Sequence, residues 1–183
     1  MKINLLIIIP ALLFAGCYQS AKPINKENIS NKLPANKGSK ISRSGLLTLL
    51  DAEKILGEKG SLTDSSTTHG KDAVNFACSY KAISEDKKTG KTGTLYFLLE
   101  EYNLVSGAEK RYKFIKEANS NNAGIKTLDG LGDEAYFHSD KENFYFVMVR
   151  KGNKVFNLKV NKITSFTSLN VFNTVTKKIT EAL

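Results

Sequence analysis

Residues 143–162 read NFYFVMVRKGNKVFNLKVNK: two extended runs, Asn143 to Arg150 and Lys154 to Lys162, around a Gly152-Asn153 centre. Glycine and asparagine tolerate the positive φ that a tight hairpin needs, so the two runs are expected to pair antiparallel. In the first run Phe144, Tyr145, Phe146, Val147, Met148 and Val149 are apolar without alternation, the mark of a central strand buried from two sides. Upstream, Val74, Phe76, Cys78 and Tyr80 alternate with Asn75, Ala77, Ser79 and Lys81, and Leu95, Phe97 and Leu99 share one face of the run Thr94 to Tyr102. The charged, glycine-bearing segment Ser84 to Gly93 joins these two strands as a long hairpin. Shorter extended pieces are expected around Ile125 to Leu128 and Glu134 to His138, and the polar stretch Glu58 to Lys71 reads as a loop.

Helices punctuate these strands. Thr48 with Asp51 forms a capping-box pattern, Leu49, Ala52, Ile55 and Leu56 share a face, and Gly57 suits a left-handed stop. Ser106 with Glu109 is a second capping-box pattern, opening a helix through Ala118. Leu169, Phe172, Val175, Ile179 and Leu183 recur at helical spacing after a Ser/Thr-rich start, with Lys177 and Lys178 toward the negative end of that helix. The order α-β-β-α-β-β-β-α, with three or more strands in the second group, is an α+β pattern. It predicts an antiparallel sheet with helices packed on one face. Each half begins with a capped helix and runs into a hairpin, which suggests a pseudo-repeat.

Charge is uneven along the chain. The net charge is +9, yet residues 1–44 hold seven Lys/Arg against Glu27 alone, leaving 20 Lys/Arg against 17 Asp/Glu from residue 45 onward. The basic excess therefore sits largely on a segment rich in Asn, Lys, Ser and Pro, which reads as a solvated tether near anionic headgroups. No nucleic-acid partner is needed to explain it.

At the start, Lys2 precedes an apolar stretch of about a dozen residues, the length of a signal-peptide core and short of the roughly 20 needed to span a bilayer. It ends in Leu13-Phe14-Ala15-Gly16-Cys17, which resembles the lipobox of bacterial lipoproteins. The resemblance implies cleavage before Cys17 by a dedicated signal peptidase that recognises Leu13, Phe14, Ala15 and Gly16. It further implies diacylglycerol on the Cys17 thiol and acylation of the new amino terminus. Ala15 and Gly16 match the small residues of that motif, while Phe14 departs from its usual leucine. Two or more acyl chains make such an anchor stable, since each buried CH₂ contributes about 0.8 kcal/mol. In that family an Asp after the cysteine favours the inner membrane; Tyr18 stands here, so the outer membrane is expected. The organisation is then a leader over 1–16, lipidated Cys17 and a disordered tether to 44, and one domain over 45–183.

Within that domain, the Thr48 to Gly57 helix leading to Phe76-Ala77-Cys78-Ser79-Tyr80, and Leu128-Asp129-Gly130-Leu131-Gly132-Asp133-Glu134-Ala135-Tyr136 leading to Val149-Arg150-Lys151-Gly152-Asn153, resemble small domains of unknown function in bacterial envelope lipoproteins. The layout is also similar to PsbP-like and lipoprotein sensor domains. That likeness implies binding of a small ligand or an envelope protein and no catalysis.

Side chains with chemical potential read modestly. Cys78, on the apolar side of a strand, is expected to be buried and inert. Gly130-Leu131-Gly132-Asp133-Glu134 lacks the lysine and the strand-to-helix setting of a phosphate loop, so its glycines are expected to serve a turn. Asp133 with Glu134, and Glu100 with Glu101, are adjacent, and neighbours on a strand point to opposite faces, so neither pair reads as a metal site or a catalytic dyad. His69 and His138 lack partners at ligand spacing. No catalytic residue, metal or cofactor is assigned. If one sheet face is open, Tyr96, Tyr145 and Val147 are expected to line a groove on it. The reading is thus a membrane-anchored, noncatalytic binding module. The alternatives are an envelope hydrolase whose site is scattered through the sequence, and a structural or assembly-factor lipoprotein.

Overall fold

The computed structural model describes residues 42–183; Cys17, the residues Leu13 to Gly16 and the expected leader lie outside the described residues. The described chain opens with α1 (Arg43–Leu46), two residues ahead of the expected domain boundary, and α2 (Leu49–Leu56). Then come β1 (Gly60–His69), β2 (Ala73–Ala82), β3 (Thr94–Tyr102), α3 (Val105–Asn119), β4 (Ile125–Leu128), β5 (Glu134–Ser139), β6 (Phe144–Lys151), β7 (Lys154–Asn161) and α4 (Leu169–Ala182). All seven strands form one antiparallel sheet in the order β1-β2-β3-β7-β6-β5-β4, bearing out the α+β reading.

Local chemistry sets the element ends. Thr48 and Asp51 form the expected reciprocal box, and Gly57 closes α2 at φ 76°. The long hairpin between β2 and β3 is held by Asp86, which accepts hydrogen bonds from the Lys88 and Ser165 amides and the Thr89 hydroxyl, tying that loop to the connection between β7 and α4. Helix α3 differs at its start: Leu104 occupies the cap position without a side-chain bond, and Ser106 lies inside the first turn. The chain is pinned there by Gly107, whose α-carbon leaves no room for a side chain beside the Tyr102 ring.

The helices divide between the two sheet faces, correcting the expectation of a single covered face. Helices α2 and α4 pack Ile55, Leu56, Phe172, Val175 and Ile179 against Phe97, Val147, Val149, Phe156 and Leu158. Helix α3 packs Ala108 and Tyr112 against Tyr136, Met148 and Val155, whose side chains emerge on the opposite face. Two-sided burial is why β6 is apolar without alternation. The polar stretch expected as a loop is β1, an edge strand paired with β2 along its length. Its side chains from Ser61 to His69 are exposed, so no apolar period betrays it.

The halves α2-β1-β2-β3 and α3-β4-β5-β6 flank the central β7 as topological equivalents. Equivalent strands run in the same direction while the preceding helices lie on opposite faces. The operation relating the halves is therefore a two-fold along β7, and the suggested pseudo-repeat takes that form.

Candidate functional site

On the α4 face, the sheet turns from β5 toward β4 at a place where α4 no longer covers it. A cleft of about 480 Å³ opens there between α4 and the segment 128–131. Its floor is Phe137 of β5 and Val147 of β6, its apolar walls are Leu128, Leu131 and Leu169, and its rim carries Asp129, Asn173 and Lys177, while Thr176 lies buried in the interior with its hydroxyl donated to the Phe172 carbonyl. The volume lies in the range of small-molecule sites, and apolar walls with a few polar groups at the mouth are the usual makeup of such sites. The floor is firm. Phe137 packs edge-on to Phe172 of α4 and beside Tyr145, and Phe172 is fully buried.

The Gly130-Leu131-Gly132-Asp133-Glu134 string builds the wall that carries Leu131. Gly130 and Gly132 adopt φ of 72° and 65°, the left-handed region. A side chain on Gly132 would begin 2.5 Å from the Arg150 carbonyl oxygen, so the loop lies against β6 only because that residue is glycine. The Asp133 amide donates to the same carbonyl at 2.9 Å. Asp133 Oδ2 accepts from Arg150 Nη1 at 2.8 Å and from the Gly152 amide at 2.7 Å, and Glu134 Oε2 accepts from Arg150 Nε at 2.6 Å. The two acids were expected to diverge; they converge on one guanidinium, because Asp133 precedes the strand and escapes its alternation. Arg150 is only 9% exposed. Burial works against its charge, but the Glu134 bond and the nearby Asp133 carboxylate hold its pKa above the ordinary arginine value.

Across the sheet, Arg150 and Glu134 border a second, more polar depression of about 630 Å³ beneath α3, with Glu109, Tyr112, Lys113 and Lys116. Its charges alternate in sign, which suits a solvated cleft better than an ion-selective one. Tyr112 packs edge-on against Tyr136 beneath it, and burial, with Glu134 nearby, raises the Tyr112 hydroxyl above the ordinary tyrosine range.

The residues expected to share a groove do not. Tyr145 and Val147 belong to the α4 face, Tyr145 against Phe172 and Val147 in the cleft floor. Tyr96, 44% exposed, stands on the other face, in register with Ser79 and Lys159. The strand parity of 96 is opposite to that of Leu95 and Phe97, whereas 145 and 147 follow the parity of Val149, so no single groove can hold all three. Val147 alone stays in the site. Sequence reasoning missed Leu128, Asp129, Gly130, Leu131, Phe137, Leu169, Asn173, Thr176 and Lys177, the rest of the cleft. The one available signal was Leu131 between two glycines, an apolar residue held out on a turn.

The remaining candidates are dispersed. Cys78 is buried, and its thiol is pushed up to about 11 by that burial, so it is a core residue. Glu100 pairs with Arg111 at 3.0 Å and Glu101 with Arg43 at 2.7 Å, on opposite faces as alternation requires. His69 lies exposed at the end of β1, and His138 Nε2 is 3.1 Å from the Ala123 carbonyl oxygen. Among the described residues no three His, Cys, Asp or Glu side chains gather as metal ligands, and no helix is long and apolar enough to cross a membrane. Comparison with known protein families finds no model that matches the chain, and comparison with curated proteins finds no relative.

Proposed function

We propose that this chain is a bacterial envelope lipoprotein, anchored through lipid on Cys17, whose domain is a noncatalytic binding module. The observation that supports the binding reading is the cleft between α4 and residues 128–131, with an apolar interior and a polar mouth. It accepts an apolar group, whether of a small ligand or of an envelope protein's side chain, while Asn173 and Lys177 meet a polar end at the mouth. The order of positive head, apolar core, Ala15-Gly16 and Cys17 supports the anchor and the envelope address, with the outer membrane favoured by Tyr18.

A second reading, a structural or assembly-factor lipoprotein, draws on the part of the α3-side face that carries Tyr96, Lys159 and Phe146. Two measurements separate these. An environment-sensitive apolar dye, anilinonaphthalene sulfonate, is titrated into the native protein and into Leu169→Asp and Tyr96→Asp variants. The cleft reading expects one saturable site lost in Leu169→Asp and kept in Tyr96→Asp; the reverse pattern favours the open face, and no saturable site removes the cleft. For the anchor, Cys17→Ser is followed by fatty-acid labelling and membrane fractionation. Label or membrane attachment that survives the substitution defeats the lipoprotein assignment.

A further inference from the structure

The two edges of the sheet are treated differently. Strand β4 is four residues long, carries Lys126, and gives Leu128 to the cleft wall, so it ends in the short, charged manner that blocks pairing. Strand β1 is ten residues long, is hydrogen-bonded to β2 on its inner side, and among the described residues has no strand on its outer side. A register shift between Leu62 and Asp64 falls within its first half. From Asp64 to His69 the ladder is regular, and Ser65, Ser66, Thr67 and Thr68 are four consecutive hydroxyl residues without charge. Their side chains are exposed on both sheet faces, and among the described residues no helix or loop overlies them. The outer amides and carbonyls of this segment are already held in strand geometry by β2, which is the form a pairing strand requires.

We infer that β1 pairs edge to edge with β1 of a second copy of this chain, antiparallel about a two-fold axis normal to the sheet. The residues select this occupant because the segment matches itself. Directly opposed residues share a face, so such an axis must relate residues of equal parity. With the axis at Ser66, Ser65 faces Thr67 and Asp64 faces Thr68; with the axis at Thr67, Ser66 faces Thr68 and Ser65 faces His69. Either arrangement pairs hydroxyl residues with one another, a favourable cross-strand combination, and in neither does Asp64 meet itself. The pairing is isologous and closes at two copies, since the far edge β4 is too short to extend it.

The test uses the full chain in bacterial membranes with Ser65→Cys, Ser66→Cys, Thr67→Cys and Thr68→Cys made singly, Lys126→Cys on β4 as the other-edge control, and the unsubstituted chain as the background for Cys17 and Cys78. After mild oxidation, the expected result is a disulfide-linked species of twice the chain mass, strongest at Ser66→Cys or Thr67→Cys and absent at Lys126→Cys. Far-ultraviolet circular dichroism of each purified variant verifies the fold. Loss of the species at all four positions in folded protein overturns the inference, as does an equal yield at Lys126→Cys. A conjugate of any other mass assigns the edge to a foreign strand and overturns it as well.

Discussion

Gly130 and Gly132 have nearly the same backbone conformation in different surroundings, and that difference can be measured as stability. Both lie at positive φ, 72° and 65°, so alanine at either site meets the left-handed cost of roughly 1–2 kcal/mol. At Gly130 nothing lies within 4 Å of an added β-carbon, and the cost stops there. At Gly132 the β-carbon falls 2.5 Å from the Arg150 carbonyl oxygen and 2.8 Å from Val149 Cγ1, so the loop must lift off β6. Lifting stretches the Asp133 amide bond to that carbonyl and the Asp133 contacts with Arg150 and Gly152. Overpacking of this kind adds about 1–3 kcal/mol. Gly132→Ala is therefore expected to lose about 2–5 kcal/mol against about 1–2 for Gly130→Ala. At roughly 2–4 °C per kcal/mol, the melting midpoints should fall by about 4–20 °C and about 2–8 °C respectively. Thermal melts of both variants, with urea unfolding to confirm an unchanged slope, provide the comparison. Equal losses at the two glycines would refute the claim that contact with β6, beyond backbone conformation, fixes the Gly132 residue.

Other perturbations follow from the same geometry. Phe172→Ala removes a fully buried ring that supports Phe137 and Tyr145, and denaturant unfolding should register a loss of about 3–5 kcal/mol together with weaker dye binding in the cleft. Thr48→Ala deletes the α2 capping box and should cost about 1 kcal/mol in the same assay. The Cys78 thiol, raised to about 11 by burial, should resist aromatic disulfide reagents at neutral pH in native protein and react promptly in denaturant; rapid native labelling would contradict its place in the core. Although burial opposes its charge, Asp140 is held down to about 2 by the Asn143, Glu142 and Phe144 amides and the Asn143 side chain. Its folded pKa lies below the ordinary aspartate value of 3.8, so its contribution is complete above that value and is lost as pH falls toward about 2. Asp140→Asn should flatten the acid limb of a stability-against-pH curve in that window, and an unchanged limb would exclude the assignment.

The sequence made the strands with one wet face easy to find, because Leu95, Phe97 and Leu99 are buried at every second position against α2 and α4. It made β1 invisible for the complementary reason: a strand wet on both faces has no period to detect, and Ser/Thr-rich composition reads as loop until β2 is there to pair with it. The choice of two covered faces over one was recoverable from a single clue. Val147, Met148 and Val149 are consecutive and fully or almost fully buried, which one layer of helix cannot achieve. The candidate site was the least legible part. Its residues come from the 128–131 turn, β5, β6 and α4, separated by up to 49 positions, and only the crossing of α4 over the sheet brings them together.

The location of the cleft follows from that crossing. Around β7 the halves α2-β1-β2-β3 and α3-β4-β5-β6 balance each other, one helix on each face, so the paired topology alone would leave half of each face bare. Helix α4 has no counterpart in either half and is laid on the α2 face, where it covers Val147, Val149 and Phe156. It sits toward α2 on this face, with Lys178 bonded to Asp51 of α2 at 2.6 Å and Lys151 Nζ donating to the Thr180 carbonyl at 2.8 Å. The uncovered strip is then the one beside Phe137, and Gly132 folds the 128–131 segment up as its far wall. The cleft is thus a product of the unpaired helix and the glycine turn together. Breaking the Lys178 to Asp51 contact with Lys178→Ala should loosen the α4 wall and weaken dye binding in the cleft, while the half-exposed ion pair itself contributes little to global stability, on the order of 1 kcal/mol or less. A variant that loses stability but keeps dye affinity would show that α4 is positioned by its apolar face alone.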